Sequence, residues 1–298
     1  MFAIFRTLHG GPFGASTVVN STMAIDVSYP SRRKEAIGYY GLSNNIATAL
    51  APTIGIFLYN YCNNFEVLFW VAFIFAGVGL FVGYTIKLFE KQTVNNRSKL
   101  SLDRFFLLRA WTIGVNIAFF GFCFGVISNY LAIYGQEMLG ITSGTGVYFM
   151  LLSGGLILSR FQGAKSLKEG KLTQNAAVGI IVSTVGFSIF VGLPNLVGYY
   201  LSALLIGLGN GHMWPAFQNM IIGIAHHNER GTANSTLLTS WDLGVGVGIL
   251  LGGVIAEYFG YKWAFISVVI VHLIGLIMYF AKTQKSYLNR KSTMQDEL

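Results

Sequence analysis

Apolar runs alternate with short polar connections along the whole chain of 298 residues. Nine of these runs approach the ~20 residues that a helix needs to cross a lipid bilayer. We place them at residues 1–25, 37–59, 67–88, 106–134, 145–159, 175–193, 196–224, 232–256 and 263–281. The pattern predicts an all-α polytopic membrane protein with about nine transmembrane helices.

The composition supports this interpretation. Hydrophobic residues make up 53% of the chain and charged residues 11%, whereas a soluble domain has about 25% charged residues. The formal net charge is +8, but the basic residues are spread between the apolar runs, so we expect no nucleic-acid partner. Cys62 and Cys123 offer neither a disulfide framework nor a metal-ligand spacing. We expect the lipid bilayer as a partner, and no metal or cofactor.

Basic residues occupy alternate connections between the apolar runs. They lie near residues 32–34, 87–109, 160–171, 230 and 282–291, and Lys262 is the exception. Because lysine and arginine concentrate in cytoplasmic loops, we predict that these connections and the C-terminal tail are cytoplasmic. The short loops favour a bacterial protein of the cytoplasmic (inner) membrane.

The stretch from Arg230 to Gly253 recurs in a degraded form earlier in the chain, at a shift of 197 positions, from Arg230 to Arg33. Other aligned pairs are Asp242 with Asn45, Gly244 with Ala47, Gly248 with Ala51, Gly252 with Gly55, Gly207 with Gly10 and Gly211 with Gly14. Internal repeats of this kind are the usual way in which transporters are built.

Small residues recur at every fourth position of this stretch. Gly244, Gly248 and Gly252 therefore share one helix face, and such a face lets another helix approach closely. The earlier copy of this motif comprises Ala47, Ala51, Pro52 and Gly55. We predict that the two small-residue faces let two halves of the protein pack and slide.

The polar connection at residues 91–104 divides the chain unequally. Three apolar runs precede it and six follow it, which is unexpected for a protein made of repeats. We predict three helices of an N-terminal half-bundle in residues 1–90, a complete six-helix bundle in residues 105–282 and a cytoplasmic tail in residues 283–298. On this interpretation three helices are missing from the front; a natural nine-span protein is the alternative.

Several motifs resemble those of the major facilitator superfamily. Arg6, Gly10 and Gly14 resemble its fourth helix, an arginine followed by a glycine-rich face. The loop after that helix is similar at Asp26, Pro30, Arg32, Arg33 and Ala36, and Arg230 opens its repeated copy. The fifth-helix motif of the exporter branch resembles Ala47, Ala51, Pro52 and Gly55, with alanine at two glycine positions. The loop between the eighth and ninth helices is similar at Arg160, Gly163, Lys165, Gly170 and Lys171, although its usual aspartate is replaced.

The resemblance implies twelve helices in two halves around a central cavity, of which this chain would hold helices four to twelve. It further implies secondary active transport of a small molecule by alternating access, as proton-coupled efflux by an antiporter. An importer of a sugar or organic acid, and a truncated product that does not transport alone, are the alternatives. The chain lacks HExxH and GxSxG motifs, so we expect no enzymatic activity.

Asp242 is the one carboxylate inside its apolar run. At 1.5 Å per residue it lies about 18 Å along the helix from Arg230, near the membrane midplane. One interpretation is a proton carrier, because an acid in an apolar helix is costly and commonly functional. The other is a structural acid that never titrates. The repeat keeps a polar group at this place, Asn45, without the charge.

Arg6 and His9 lie three residues apart and share a helix face. They form a candidate pairing site for an acidic substrate or for a carboxylate such as Asp242. The alternative is that they pack the first helix against neighbours outside this sequence. If Arg6 pairs with Asp242, Asp242→Asn should make Arg6 more reactive or the protein less stable.

Two further groups of polar residues are candidates for the cavity wall. His212, Trp214 and Gln218 combine aromatic and amide surface on one helix, which suits a semi-polar ligand. Asn116, Asn129 and Tyr130 lie on another helix among phenylalanines. For the first group the alternative is ordinary packing at a helix interface. For the second group it is lipid-facing phenylalanine with polar capping near the outer end of the helix. His272 stands alone on an apolar run and is expected to be a satisfied packing residue.

Overall fold

The structure is a computed structural model that describes residues 2–29, 32–86, 106–141, 145–226 and 229–296. This part of the chain holds nine long helices, one for each predicted apolar run. They are α1 (Phe2–Asp26), α2 (Arg33–Cys62), α3 (Phe65–Thr85), α4 (Trp111–Leu139), α5 (Thr145–Lys168), α6 (Leu172–Gly192), α7 (Leu196–Gly223), α8 (Arg230–Phe259) and α9 (Tyr261–Met278). A π-helical turn, Tyr279–Thr283, joins α9 to α10 (Gln284–Asp296). The all-α prediction is confirmed.

The predicted linker at residues 91–104 lies outside the described residues. Five described helical segments are long and apolar enough to cross a membrane by length and composition: Phe65–Thr85, Leu108–Leu139, Leu172–Gly192, Arg230–Phe259 and Tyr261–Ser292. The chain also continues as helix beyond residue 282, where the sequence predicted only a tail.

Local side-chain chemistry sets several helix ends. The side chain of Asn64 accepts a hydrogen bond from the backbone N–H of Glu66 at 2.8 Å, and α3 begins there. Asn195 caps α7 in the same way through Gly198. Asparagine is a favoured N-cap because its carbonyl oxygen satisfies a backbone donor that the helix leaves free. Gly140, with φ +64°, ends α4 in the left-handed conformation.

The internal repeat extends to the helix boundaries. The shift that places Arg33 on Arg230, the first residues of α2 and α8, also places Cys62 on Phe259, their last residues. The helix pair α1–α2 therefore corresponds to α7–α8. The repetition seen in the sequence is a repetition of structure.

Several contacts define one side of the bundle, which we name the tail side because α10 lies there. Arg109, before α4, forms an ion pair with Glu229, before α8. The hydroxyl of Tyr279 donates to the backbone carbonyl of Thr173 near the start of α6, at 2.7 Å. Since neighbouring helices alternate in direction, α1, α5 and α7 end on the tail side.

The apolar core of the second half, α4–α9, consists of two clusters of buried residues. The tail-side cluster includes Leu107, Ile113, Met220, Leu237 and Tyr287. The opposite cluster is rich in rings and includes Tyr134, Tyr148, Phe190, Tyr199 and Phe265. Burial of this kind fixes the six helices relative to one another. Cys123 is buried in this half, whereas Cys62 is exposed at the end of α2.

Glycines let α4 and α8 touch along their backbones. A Cβ added at Gly244 would overlap the backbone carbonyl of Ala118, and one at Gly248 would overlap that of Phe122. The predicted close approach of another helix is thus found. The prediction that this face joins the two halves is wrong, because its partner α4 belongs to the same half.

The earlier copy of the motif behaves differently. Ala47 and Ala51 are exposed on α2, and a Cβ at Gly55 would meet nothing within 4 Å. The side chain of Pro52 lies outside the described residues. The small-residue face of α2 therefore has no close contact at Gly55 of the sort that α8 makes with α4.

Two polar side chains buried in the second half, His272 and Asn116, are hydrogen-bonded. His272 has Ser183 Oγ at 3.0 Å from Nε2 and Thr184 Oγ1 at 2.9 Å from Nδ1, which confirms the expectation of a satisfied packing residue. Asn116 is completely buried. It donates to the backbone carbonyl of Gly275 at 2.8 Å and accepts from the hydroxyl of Thr283.

Asn116→Leu is expected to destabilise the protein by about 1–3 kcal/mol, because it removes two buried hydrogen bonds, one to the Gly275 carbonyl and one from the Thr283 hydroxyl. The melting temperature of the purified protein measures the effect. Asn129→Leu is the matched control on the same helix, since Asn129 is exposed and bonds to Gly125 and Ser128 of its own helix. Equal melting temperatures for the two variants would contradict the stabilising role that we assign to the hydrogen bonds of Asn116.

Candidate functional site

The first three helices meet the second half on the tail side. Asn234, one turn into α8, is almost fully buried, and its Nδ2 donates to the hydroxyls of Ser21 and Thr22 on α1. Those hydroxyls in turn donate to carbonyls of their own helix, at Thr17 and Val18. The amide of Asn234 thus joins the two halves directly. We name this contact the α1–α8 closure.

Arg160 makes the corresponding approach between α5 and α2. A Cβ added at Gly41 of α2 would lie 3.1 Å from Nη2 of Arg160, so the guanidinium rests against the α2 backbone. The sequence predicted Arg160, Gly163 and Lys165 in a loop, and this is wrong: all three lie in α5, which ends at Lys168. The helix continues beyond its apolar run because Gly163 packs against His212 of α7 and Ser166 is hydrogen-bonded to Asn175 of α6.

A polar cluster lies beside Arg160 and joins α5, α6 and α7. The side chain of Asn175 donates from Nδ2 to the backbone carbonyl of His212 at 3.0 Å. Its Oδ1 therefore faces Nδ1 of His212, at 2.9 Å, and assigns the ring proton to Nδ1. The other ring nitrogen, Nε2, lies 3.5 Å from Oε1 of Gln162; with the proton on Nδ1 both atoms are acceptors, so this is a contact and not a hydrogen bond. Gln162 is exposed on α5, so the imidazole connects the buried core to an accessible surface.

Close packing brings this imidazole to α5. A Cβ at Gly163 would lie 2.9 Å from Nδ1 of His212. Glycine is therefore required on this face, one turn after Arg160. The hydroxyl of Ser166 lies 3.0 Å from Oδ1 of Asn175 and completes the cluster.

Aromatic rings form a second surface at mid-depth. The ring centroids of Trp214 and Trp241 are 5.1 Å apart with planes at 79°, and those of Phe124 and Trp241 are 5.4 Å apart. The three rings come from α7, α8 and α4, and each is half-buried. Such a surface can bind apolar groups or stack on planar ones.

Asp242 follows Trp241 on α8 and is exposed. It lies about 18 Å from the start of the helix by the rise of 1.5 Å per residue. His9 is exposed on α1, and its ring stacks on Phe13 at 5.8 Å. The side chains of Arg6 and Asn45 lie outside the described residues, so the pairing of Arg6 with Asp242 stays a prediction.

The remaining cavity candidates lie elsewhere. Asn116 faces α9 inside the second half, so its predicted place on the cavity wall is wrong; its hydrogen-bond partners were far away in sequence. The hydroxyl of Tyr130 donates to the backbone carbonyl of Ile249 at 2.7 Å and ties α4 to α8. Gln218 is buried on α7. Asn129 is exposed on α4.

The other residues of the predicted loop motifs lie at helix ends. Asp26 is the last residue of α1, Arg33 the first of α2 and Arg230 the first of α8. Gly170 turns the chain between α5 and α6 with φ +74°. Arg32 lines a small pocket of about 210 Å³ with Ser28, Tyr29 and Tyr39. This end of the first half thus combines a charged side chain with tyrosines.

Several residues of the site were missed from the sequence, among them Asn234, Ser21, Trp241, Gln162 and Asn175. Asn234 lies one turn after Arg230, on a helix that the sequence analysis already singled out. Its position could therefore have marked it as a candidate. Nothing in the sequence marked Ser21 as a site residue, because its hydrogen-bond partner is 213 positions away.

Comparison with known proteins identifies a protein family whose sequence profile matches this chain. The sequence profile described as Major Facilitator Superfamily matches residues 1–211 and, in a second match, residues 170–296. The chain is similar to the staphylopine export protein of Staphylococcus aureus (strain Mu50 / ATCC 700699), with 23% identity over 274 residues. That alignment covers 87% of this chain and 68% of the relative.

Solved transporters share the fold. The human organic anion transporter MFSD10 (TETRAN) matches with a TM-score of 0.70 and 16% identity, over 88% of this chain and 67% of its own. The transporter FucP in the outward conformation matches with a TM-score of 0.61 and 15% identity, over 88% and 70%. A bacterial homologue of the human lysosomal transporter Spinster, inward-facing and unoccupied, gives 0.59 and 16%, over 91% and 74%.

Proposed function

This chain belongs to the Major Facilitator Superfamily, and we propose that it exports a small molecule across the membrane in exchange for protons. Membership makes it an integral, multi-pass membrane protein of a transporter family. The direction and the driving ion are the parts that we propose. An importer would need the same fold, so the experiment below is chosen to separate the two.

The observation that carries the proposal is the closure of the two halves on one side. Asn234 joins α8 to α1, and Arg160 rests on α2, both within two or three turns of the tail-side helix ends. By the positive-inside rule the tail side is cytoplasmic. Closure of the two halves on one side is what each of the two states of alternating access requires.

The polar and aromatic surfaces supply what a substrate cleft needs. Trp214 and Trp241 offer half-buried rings near mid-depth, while Gln162 and Asp242 offer exposed polar groups. Ligand sites combine apolar walls with a few placed polar groups. Export is supported by the name of the staphylococcal relative, a staphylopine export protein.

Asp242 is our candidate for the proton-carrying group. It is exposed, carries the charge that Asn45 lacks, and lies at a depth where its surroundings can change between states. A carboxyl that binds protons on one side and releases them on the other couples transport to the proton gradient. Asp242→Asn mimics the protonated form and removes this cycle.

Everted membrane vesicles test the proposal. Vesicles that hold the full chain are acidified inside, and small amphipathic carboxylates and amines are added while acridine orange reports proton release. We expect release with at least one compound, abolished by Asp242→Asn at equal expression and kept by Glu257→Gln, an exposed acid near the end of the same helix. Proton release by Asp242→Asn at the wild-type rate would contradict the role of Asp242. Uptake of a compound by whole cells that contain the chain, without proton release from the vesicles, would favour import.

A further inference from the structure

The last helical segments of the chain are together longer than a bilayer is thick. α9, the π-helical turn and α10 hold 18, 5 and 13 residues and follow one another without a break. At 1.5 Å per residue they extend about 54 Å. The hydrocarbon core of a bilayer measures ~30 Å, and ~40–45 Å with the headgroup layers included. α10 therefore passes through the headgroup layer on the tail side.

The spacing of charged residues sets the depth of this helix in the membrane. Between Lys262 and Lys282 the sequence holds no aspartate, glutamate, lysine or arginine. The two lysines are about 30 Å apart along the helix, which is the thickness of the hydrocarbon core. Lys282 therefore lies at the tail-side boundary of the hydrocarbon. Lys285 lies about 4.5 Å further out, within the headgroup layer, and Lys291 about 13.5 Å further out, beyond that layer.

Trp111 marks the same level independently. It is the first residue of α4, on the tail side, and it is 40% exposed. Nζ of Lys282 lies 4.4 Å from the centroid of its ring. Tryptophan is enriched where the hydrocarbon meets the headgroups, because its ring is apolar and its N–H is polar. An indole and an ammonium thus lie side by side at the level of the lipid phosphates.

The opposite face of the helix holds these lysines in place. Tyr279, Thr283 and Tyr287 recur at every fourth position and are buried. Lys282 and Lys285 are three residues apart, share a face that points away from these three, and are exposed. Within the described part of the chain, neither ammonium donates a hydrogen bond to another residue. The ring of Trp111 attracts the charge of Lys282, and the N–H donors of both lysines can reach a phosphate.

We propose that Lys282 and Lys285 bind the phosphate of an anionic phospholipid in the tail-side leaflet, with Trp111 against the glycerol backbone and the upper acyl chains of that lipid. Basic clusters next to a transmembrane helix attract anionic lipids, and residues 279–292 contain four basic residues and no acidic one. Depth selects Lys282 and Lys285 from these four. The competing interpretation is that all four side chains face only water. The lipid site does not depend on the export function.

Quenching of tryptophan fluorescence by brominated lipids tests the proposal on the full chain in phosphatidylcholine bilayers. Part of the lipid is replaced by phosphatidylglycerol in one series and by phosphatidylcholine in the other, each brominated near the top of its acyl chains. The signal of Trp111 is the difference between each protein and the same protein with Trp111→Phe, which keeps an aromatic ring. We expect Trp111 to be quenched more strongly by phosphatidylglycerol, with a preference of about 25-fold, or about fivefold for each lysine.

Substitutions of the lysines locate the preference. The double variant Lys282→Gln with Lys285→Gln should lose it, whereas Lys282→Arg with Lys285→Arg should keep it, because the charges at this level remain. Lys291→Gln is the matched control, since Lys291 is exposed on the same helix beyond the headgroups. A preference that the double glutamine variant keeps, or that Lys291→Gln loses to the same extent, would overturn the proposal.

Salt tests the wild-type lysines without any substitution at them, in case the glutamine variant does not fold. In ~1 M sodium chloride, where the Debye length is about 3 Å, most of the preference should disappear. Equal quenching of wild-type Trp111 by the two lipids at low salt, or a preference that high salt leaves unchanged, would contradict the lipid site. Loss of the preference in inorganic phosphate, but not in sodium chloride of equal ionic strength, would assign the lysines to a free anion and would also overturn the proposal.

Discussion

Gly244→Leu should prevent the protein from folding into a stable bundle, whereas Gly246→Leu on the same helix should be tolerated. A side chain at Gly244 would overlap the backbone of Ala118, and backbone cannot move aside as a flexible side chain can. Overpacking of this kind costs at least ~1–3 kcal/mol even where only side chains must shift. A Cβ at Gly246 would meet nothing within 4 Å, and leucine also favours a helix by up to about 1 kcal/mol relative to glycine.

Fluorescence-detected size-exclusion chromatography of tagged protein measures both variants in parallel. We expect an aggregated or absent peak for Gly244→Leu and a monodisperse peak for Gly246→Leu. The comparison controls for side-chain size and for membrane insertion, because both positions lie in α8 two residues apart. Two monodisperse peaks with equal melting temperatures would mean that α4 and α8 do not touch as described.

Locking the α1–α8 closure should stop transport completely. Ser21→Cys and Asn234→Cys, in a protein with Cys62→Ser and Cys123→Ser, place two thiols where an amide now reaches a hydroxyl. Cross-linking with a short bifunctional thiol reagent should join the halves, since the two side chains are in contact. Transport in vesicles should then cease, because the cytoplasmic side can no longer open.

The pair His9→Cys and Asn234→Cys provides the control. His9 lies on the same helix as Ser21, about 18 Å further along by the rise per residue, and should not cross-link. The link is detected on a gel after cleavage at a protease site inserted in residues 92–98. Cross-linking that leaves transport unchanged would show that this contact need not open; failure to cross-link would show that the contact is absent.

Helix existence was predictable from the sequence because it depends on local periodicity. Each of the nine apolar runs forms one helix. The shift of 197 positions aligns both the first and the last residues of α2 and α8. Helix ends were less predictable. At α5 the apolar run stops near residue 159 but the helix continues to Lys168, because Gly163 packs against His212 and Ser166 is hydrogen-bonded to Asn175.

The candidate site was predictable only in part, because its contacts join distant positions. The sequence singled out His212 and Asp242 from their types and depth, without their neighbours. It could not distinguish Asn116, which faces α9, from Asn234, which joins the halves. Both are asparagines in apolar helices, and only the partner helix decides their roles. The small-residue face of α8 was likewise recognisable, but its partner α4 was not.

The exposure of Cys62 and the burial of Cys123 give the natural chain a built-in attachment point for a dye. A maleimide fluorophore should react at Cys62 alone, at the end of α2 remote from the tail side. Energy transfer from that dye to an acceptor on a C-terminal tag would then follow the tilt of α2 during turnover. The moving half can therefore be observed in single molecules without altering a residue of the bundle.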